Sequence, residues 1–418
     1  MSQLLREKRV ERMHVVFLTH DYPPFTFGGV GTFVENLARP LSEAGIRTTV
    51  LCGYPMQFKP SYRQASAERN EAVDIIRFPY PNLPPRHLFF QLLNFSKLRD
   101  TIRKMQADVV HGQGGSTFPA ILALRTLAPA VVTFHDSPKS EETLALRSLT
   151  RGGSLSDFLT YALGYPLWSS TFRMELRLSK VAVAVSKALR SDLLTEMGKQ
   201  YSEKLYTIHN GVDTDRLIAR YQQFGSTIEE RGDTILFAGR LFWRKGIYDL
   251  VRIAESLQRK RPNLKLLVHG TGPLLRTITD DIERLGLRNM EIKGFTSPRT
   301  LIENMKRSSF ILLPSAYEAY PMIILEAMCL GKIPVMYDLP FAREITDNGR
   351  YGILATDADD VVKKIGSVID TGRVESLQKR IREYSLENYN AKKMVHDYLT
   401  VYEKASTSFS GTLTAEEK

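Results

Sequence analysis

The sequence predicts an α/β protein of two doubly wound, Rossmann-like domains facing each other across an interdomain cleft. Short apolar runs alternate with longer amphipathic stretches almost from end to end, the pattern of parallel strands joined by crossover helices. The alternation falls into two series, separated by a polar stretch at 221–233 that reads as a linker. A chain of 418 residues also has room for two or three domains at about 150 residues each.

The first series places strands at 14–19, 48–52, 73–78, 108–111, 131–134, 181–185 and 205–208, with a helical pattern over 32–44. The second places them at 234–237, 265–269, 290–293, 310–314, 334–337 and 352–355. Runs this short and apolar are what strands buried on both faces require. In 391–404, Met394, Val395, Tyr398, Leu399 and Tyr402 recur at helical spacing, and the polar stretch 406–418 reads as a disordered tail. The domain boundaries follow: 1–212, then 213–390, then a C-terminal helix and tail over 391–418. In open α/β sheets ligands bind beyond the carboxyl ends of the strands, so chemistry is expected in the loops there.

Composition narrows the function. Only Cys52 and Cys329 are present, too few for a disulfide framework or a four-ligand zinc site, which points to the reducing cytoplasm. No apolar run approaches the ~18 residues of a membrane span, and the charged N-terminus precedes only the short run 15–18, so no export signal is expected. The net charge is +11, concentrated in the first half, and favours anionic partners. Zinc-finger spacing and RNP-like aromatics are missing from the sequence, and nucleic acid is not expected as a partner. Two stretches, 78–103 and 154–178, are rich in aromatic, leucine and basic residues, the second with Phe158, Tyr161, Tyr165, Trp168, Phe172, Arg173 and Arg177. Each reads either as core packing with a charged outer face or as a surface for an anionic lipid interface.

Three constellations can carry chemistry. After the first strand, DYPPFTFGGVGTF puts Gly28, Gly29 and Gly31 at a helix start, where backbone N–H groups can approach an anion or the chain simply needs φ > 0 for a turn. After strand 234–237, AGRLFWRKG sets Arg240 and Lys245 in one loop, either converging on a polyanion or standing as solvated surface cations. In LLPSAYEAYPMIILEAMCLGKIPV a strand ends near Ser315 and a helix starts near Pro321. Glu318 precedes that helix, and Glu326 lies inside its apolar run, where an unpaired charge is costly and a vicinal diol is a fitting partner. Asp213-Thr214-Asp215 and Asp357-Ala358-Asp359 have the pattern of a metal-binding Asp-x-Asp, but read as part of a loop and as a helix start, and no metal site is assigned.

Taken in order, Gly28–Gly31, TFHDSP with His135, VSKAL at 185–189, IHNGVD at 208–213, FAGRLFWRKG at 237–246, HGTGP at 269–273, KGF at 293–295 and Glu318-x₇-Glu326 resemble the family-four retaining glycosyltransferases of the GT-B fold. REI at 343–345 and DNGRYG at 347–352 extend the likeness. The resemblance implies transfer of a sugar from a nucleoside-diphosphate sugar to an acceptor hydroxyl, with retention and without metal or other cofactor, the nucleotide sugar being a substrate. It implies that Arg240 and Lys245 bind the donor diphosphate, Glu326 the ribose and Glu318 the donor sugar, with Gly29 near the donor. His135 would stand at the reaction centre, and Gly28, Gly29, His135 and Asp136 would meet the acceptor. UDP is preferred to GDP and ADP, and the acceptor is a glycan, a small molecule or a lipid, the last allowing peripheral contact with the inner membrane face. Ala319 stands where the family often has Gly, which bears on the donor sugar, and Gln113 replaces a frequent His. A sugar phosphorylase, a nucleotide-sugar epimerase and a non-catalytic nucleotide-sugar binder remain open on the same fold.

Overall fold

The computed structural model describes residues 13–25, 28–56, 66–70, 73–82, 86–124, 126–138, 155–225 and 234–416. They form two compact units, one from 13–138, 163–211 and 391–416, the other chiefly from 212–390.

The first unit is built on a sheet of eight strands: β1 (His14–Thr19), β2 (Arg47–Pro55), β3 (Ser66–Asn70), β4 (Val73–Tyr80), β5 (Val109–Gln113), β6 (Ala130–Phe134), β7 (Val181–Ala184) and β8 (Leu205–Thr207). Their order is β3-β4-β2-β1-β5-β6-β7-β8, parallel throughout except for the antiparallel β3–β4 pair. Strand β1 is buried along its whole length between β2 and β5, which is why its centre, VVFL at 15–18, reads as an unbroken apolar run. The chain leaves β1 toward one side of the sheet order and returns on the other at β5, so a topological switch point lies where Leu18 pairs with Gly112. The sequence reading missed β3, because SAERN carries none of the apolar alternation that marks a strand.

Side-chain alternation sends Val15 and Phe17 to one face and Val16 and Leu18 to the other. Val16 and Leu18 pack with Phe78, Tyr80, Phe90, Leu98 and Ile102 under helix α2 (Arg86–Met105); helix α1 (Gly29–Glu43) comes before it in the chain. Val15 and Phe17 share a core with Phe33, Val34, Leu37 and Leu41 of α1 and with Met394, Val395, Tyr398, Val401, Tyr402 and Ala405 of the last helix, Ala391–Glu416. Thus the chain's C-terminal helix belongs to the first unit's core. It also runs past the expected end at Lys404: the stretch 406–416 continues as helix rather than as a disordered tail, since extending a helix already anchored by packing needs no new nucleus.

A buried polar chain fastens that helix. His111 Nδ1 lies 2.8 Å from Tyr402 Oη, and its Nε2 lies 2.7 Å from Thr133 Oγ1, which is itself 2.8 Å from Tyr398 Oη. Burial, with His135 nearby, pushes the His111 pKa down to about 3, so the imidazole is neutral and both nitrogens serve as hydrogen-bonding groups.

In the second unit six parallel strands, β9 (Thr234–Ala238), β10 (Lys265–His269), β11 (Met290–Gly294), β12 (Ser308–Leu313), β13 (Ile333–Tyr337) and β14 (Ile353–Ala355), lie in the order β11-β10-β9-β12-β13-β14. This is the doubly wound order, with its switch point between β9 and β12. The Asp-x-Asp pairs act as helix caps: Asp213 Oδ1 accepts from Arg216 N at 3.1 Å, and Asp357 Oδ1 from Asp360 N at 2.9 Å. Of the expected linker, 221–225 is the end of helix Thr214–Gly225, and 226–233 lies outside the described residues. No described helix is long and apolar enough to cross a membrane.

Candidate active site

In the second unit, three loops meet at the switch point. The loop after β9 carries Arg240, turns through Trp243–Lys245 and enters helix Ile247–Lys260 at Gly246. Gly246 is left-handed at φ 71°, and a Cβ there would stand 2.0 Å from the carbonyl oxygen of Pro314. Gly270, at φ 138°, would place a Cβ 1.8 Å from the carbonyl of Gly239. Only glycine fits either position. Backbone bonds complete the clamp: Leu241 N to Thr271 O at 2.9 Å on the β10 side, Ala316 N to Arg244 O at 2.9 Å on the β12 side. The motifs FAGRLFWRKG and HGTGP are therefore two halves of one interlock that fixes the Arg240–Lys245 loop.

Lys245 Nζ donates to Glu318 Oε1 at 2.5 Å, and the fully buried Ser315 Oγ donates to the same oxygen at 2.7 Å. Side-chain exposures of 21% for Lys245 and 10% for Glu318 make this a largely shielded pair, where charge acts more strongly than at the surface. The pairing links residues 73 apart, and spacing alone gave no sign of it. Arg240 is exposed and forms no ion pair among the described residues. Glu326 is half-buried on helix Met322–Cys329, which starts directly after Pro321 as its sequence predicts, and Ala319 is buried. The structure thus joins Lys245 to Glu318, with Arg240 in the same loop as Lys245 and Glu326 on the helix that follows Glu318.

In the first unit, Gly28 and Gly29 are exposed at the start of α1. Gly28 is extended at φ −171°, and a Cβ on either residue would meet nothing within 4 Å, so neither a left-handed turn nor packing demands glycine here. The preceding turn Tyr22–Phe25 is clamped by Arg77 of β4, whose guanidinium donates to Pro23 O at 2.6 Å and lies over the Phe25 ring.

His135 stands one residue beyond β6. Its Nε2 lies 2.8 Å from Gln113 Oε1, and its ring meets Phe33 edge-on at 4.6 Å. Burial lowers its pKa to about 3. A carboxamide oxygen only accepts, so Nε2 carries the proton and Nδ1 keeps its lone pair. Asp136 Oδ1 accepts from the backbone N–H of its own neighbour Ser137 at 2.9 Å, and Gln113 holds the histidine through Nε2.

Sequence reasoning missed three further residues. Gln113 was visible only as a departure from the family pattern. Glu175, wholly buried on helix Leu155–Leu178, accepts from Gly115 N at 2.6 Å, Thr117 N at 2.9 Å and Thr117 Oγ1 at 3.1 Å, holding the loop after β5; burial raises its pKa to about 7. Its signal was an acid set between the apolar Met174 and Leu176 and flanked by Arg173 and Arg177. His20, just beyond β1, has Nδ1 buried without a partner among the described residues, and its pKa falls to about 3 through burial and the neighbouring His87 and Arg86. In the aromatic stretch 154–178, Phe172 is buried against Phe134 while Arg173 and Arg177 are exposed; the side chains of Phe158, Tyr161 and Tyr165 lie outside the described residues.

Comparison with known proteins agrees with this architecture. Residues 27–216 match the model of Glycosyltransferase Family 4, and 220–388 that of Glycosyl transferases group 1. The chain is 26% identical over 378 residues to the glycogen synthase of Mycobacterium tuberculosis, covering 86% of each chain. Sucrose-phosphate synthase from Thermosynechococcus elongatus superposes with a TM-score of 0.78 at 17% identity, over 95% of this chain and all of that one. HepE of Anabaena, solved with UDP and glucose, superposes at 0.66 with 18% identity, over 94% of this chain and 100% of that one. With two doubly wound units, a cation-bearing loop at the second switch point and family models spanning both, the chain belongs to the family-four, group 1 glycosyltransferases of the GT-B fold.

Proposed function

We propose that the enzyme is a retaining, metal-independent glycosyltransferase whose donor is a nucleoside-diphosphate sugar, with UDP preferred to GDP and ADP. The observation that carries this reading is the Lys245–Glu318–Ser315 cluster in one interlocked loop system with Arg240. A diphosphate would take Lys245 and Arg240 as counter-charges, and the anionic leaving group that forms as the glycosidic bond breaks is what fixed cations stabilise. Glu318, whose Oε1 already accepts from Lys245 and Ser315, would present its other oxygen to a donor-sugar hydroxyl, and Glu326 would accept from the ribose hydroxyls.

In the first unit, backbone N–H groups at Gly28 and Gly29, His135 Nδ1 and Asp136 would bind the acceptor. The bond from the sugar's anomeric carbon to phosphate oxygen breaks while the bond to the acceptor oxygen forms on the same face. The acceptor's proton passes to the departing phosphate, so His135 positions a hydroxyl and is not the base. The UDP preference draws on HepE, which was solved with UDP and glucose. Cytoplasmic residence is supported by Cys52 and Cys329 being free thiols, and an acceptor that is a glycan, a small molecule or a lipid fits the reading, with peripheral membrane contact for the last.

Titration calorimetry with UDP, GDP and ADP in chelator tests the donor site. Wild type is expected to bind one diphosphate preferentially, and Arg240→Ala/Lys245→Ala to lose at least about 100-fold in affinity, two charge-assisted contacts at roughly 1.5 kcal/mol or more each. Equal binding by the double variant would remove the diphosphate assignment; the anomeric configuration of the product, read by NMR, decides retention.

A further inference from the structure

The outward side of α2 has a composition that packing does not explain. Leu92 and Leu93 are 55% and 60% exposed, whereas Phe90, Gln91, Asn94, Leu98 and Ile102 are buried on the opposite side. At 100° per residue, Leu92, Ser96, Arg99 and Arg103 fall in one row and Leu93, Lys97, Asp100 and Lys104 in the row beside it. All eight side chains are exposed. The face therefore begins with two adjacent leucines and continues into four cations against one acid, and none of the four cations forms an ion pair among the described residues. On helix Phe118–Leu124, which packs beside α2, Leu122 is a further exposed leucine.

Each half of this surface excludes a different partner. A nucleic acid would use the cations and leave the leucines in water; an apolar protein groove would cover the leucines and strand charges of one sign. An anionic bilayer takes both together, because its headgroup region supplies phosphate next to the boundary where short apolar side chains can bury. We propose that the outward face of α2 docks on an anionic phospholipid bilayer, with Leu92 and Leu93 entering the boundary between headgroups and acyl chains and Lys97, Arg99, Arg103 and Lys104 lying against lipid phosphates. The inference rests on the peripheral-membrane part of the proposed function and on none of the donor chemistry, so its test reads binding and not turnover.

The full chain is sedimented with vesicles of phosphatidylcholine alone, and of phosphatidylcholine containing phosphatidylglycerol, at about 0.05 M and about 0.5 M salt. Wild type is expected to bind the anionic vesicles at low salt and to leave them at high salt. Leu92→Ser/Leu93→Ser lowers partitioning about tenfold with the salt dependence kept, and Lys97→Gln/Arg99→Gln/Arg103→Gln/Lys104→Gln abolishes the salt dependence. Circular dichroism checks that each variant is folded. Because Cys52 and Cys329 are both buried, an environment-sensitive thiol dye placed through Ser96→Cys reports the same face without removing any proposed contact. Its emission shifts to the blue on anionic vesicles, while the dye at Ser376→Cys, exposed in the second unit, does not shift. No binding by wild type, equal binding by wild type and both multiple variants, a blue shift at 376 but not at 96, or complete displacement from vesicles by poly(U) would each overturn the proposal.

Discussion

His135 owes its chemical character to Gln113. A histidine in water exchanges its proton between two nitrogens; here an amide oxygen 2.8 Å from Nε2 selects one tautomer and leaves Nδ1 as an acceptor. With its pKa near 3 through burial, His135 stays neutral across the working range, and its protonation gives the rate no acid limb near neutrality. Gln113→Leu is expected to lower kcat about tenfold or more, with nucleotide binding unchanged. Gln113→Glu sets a carboxylate against Nε2, raises the histidine pKa by roughly 1–3 units and brings an acid limb up into the measurable range. Superimposable kcat/KM profiles for wild type and Gln113→Glu would contradict this pairing. Glu175 shows the opposite sense. Its folded pKa of about 7 lies above the ordinary carboxylate value, so the stability it contributes is fully present below about pH 4.5 and is lost as pH rises through about 7, by an amount on the order of 3 kcal/mol. Denaturant unfolding across pH 4–8 (about that range) should show a slope that Glu175→Gln removes, even though the amide, facing the Gly115 and Thr117 N–H groups, lowers stability at the acid end.

At the scale of elements, strands were the most legible part of the sequence. Runs such as VVFL at 15–18 and FILL at 310–313 are unbroken because both faces of each strand are covered, and a short apolar run between turn signals suits a buried strand of a parallel sheet. Strand β3 escaped because SAERN shows no apolar alternation, while the structure places it by its antiparallel backbone ladder to β4 at the sheet edge. The site was legible where backbone geometry constrains residue type, as with Gly246 and Gly270. It was illegible where side chains distant in sequence meet, as with Lys245 and Glu318 or Gln113 and His135, since no periodicity records such a contact. The last helix belongs to both classes: Met394, Val395 and Tyr398 announce an apolar face, yet its attachment to β5 and β6 through Tyr402–His111 and Tyr398–Thr133 could not be read. Each hydroxyl removed by Tyr398→Phe or Tyr402→Phe leaves a buried partner unmatched, so each is expected to lower stability by about 1–2 kcal/mol. Urea titration measures it, and a change under about 0.3 kcal/mol in both would mean that the polar chain contributes nothing beyond packing.

At the scale of the whole molecule, the chain carries two sheets with two sets of core residues, each within a unit large enough to bury a core of its own. The first unit closes only when the chain returns at 391, so its stability depends on the last helix, while the second is nearly continuous in sequence. Cooperativity is then expected within each unit, and calorimetric unfolding should resolve two transitions. Tyr398→Phe/Tyr402→Phe identifies the first unit's transition by lowering that one alone. A nucleoside diphosphate held by Arg240 and Lys245 acts on the other: at about 100 times its dissociation constant it stabilises by roughly 2.7 kcal/mol, raising that transition by about 5–10 °C for a unit of this size. The same addition to Arg240→Ala/Lys245→Ala should leave both transitions in place. A single transition that moves as one with either perturbation would show instead that the two cores unfold as a unit, and an upward shift confined to the first transition would put the nucleotide on the first sheet and not at the β9–β12 switch point.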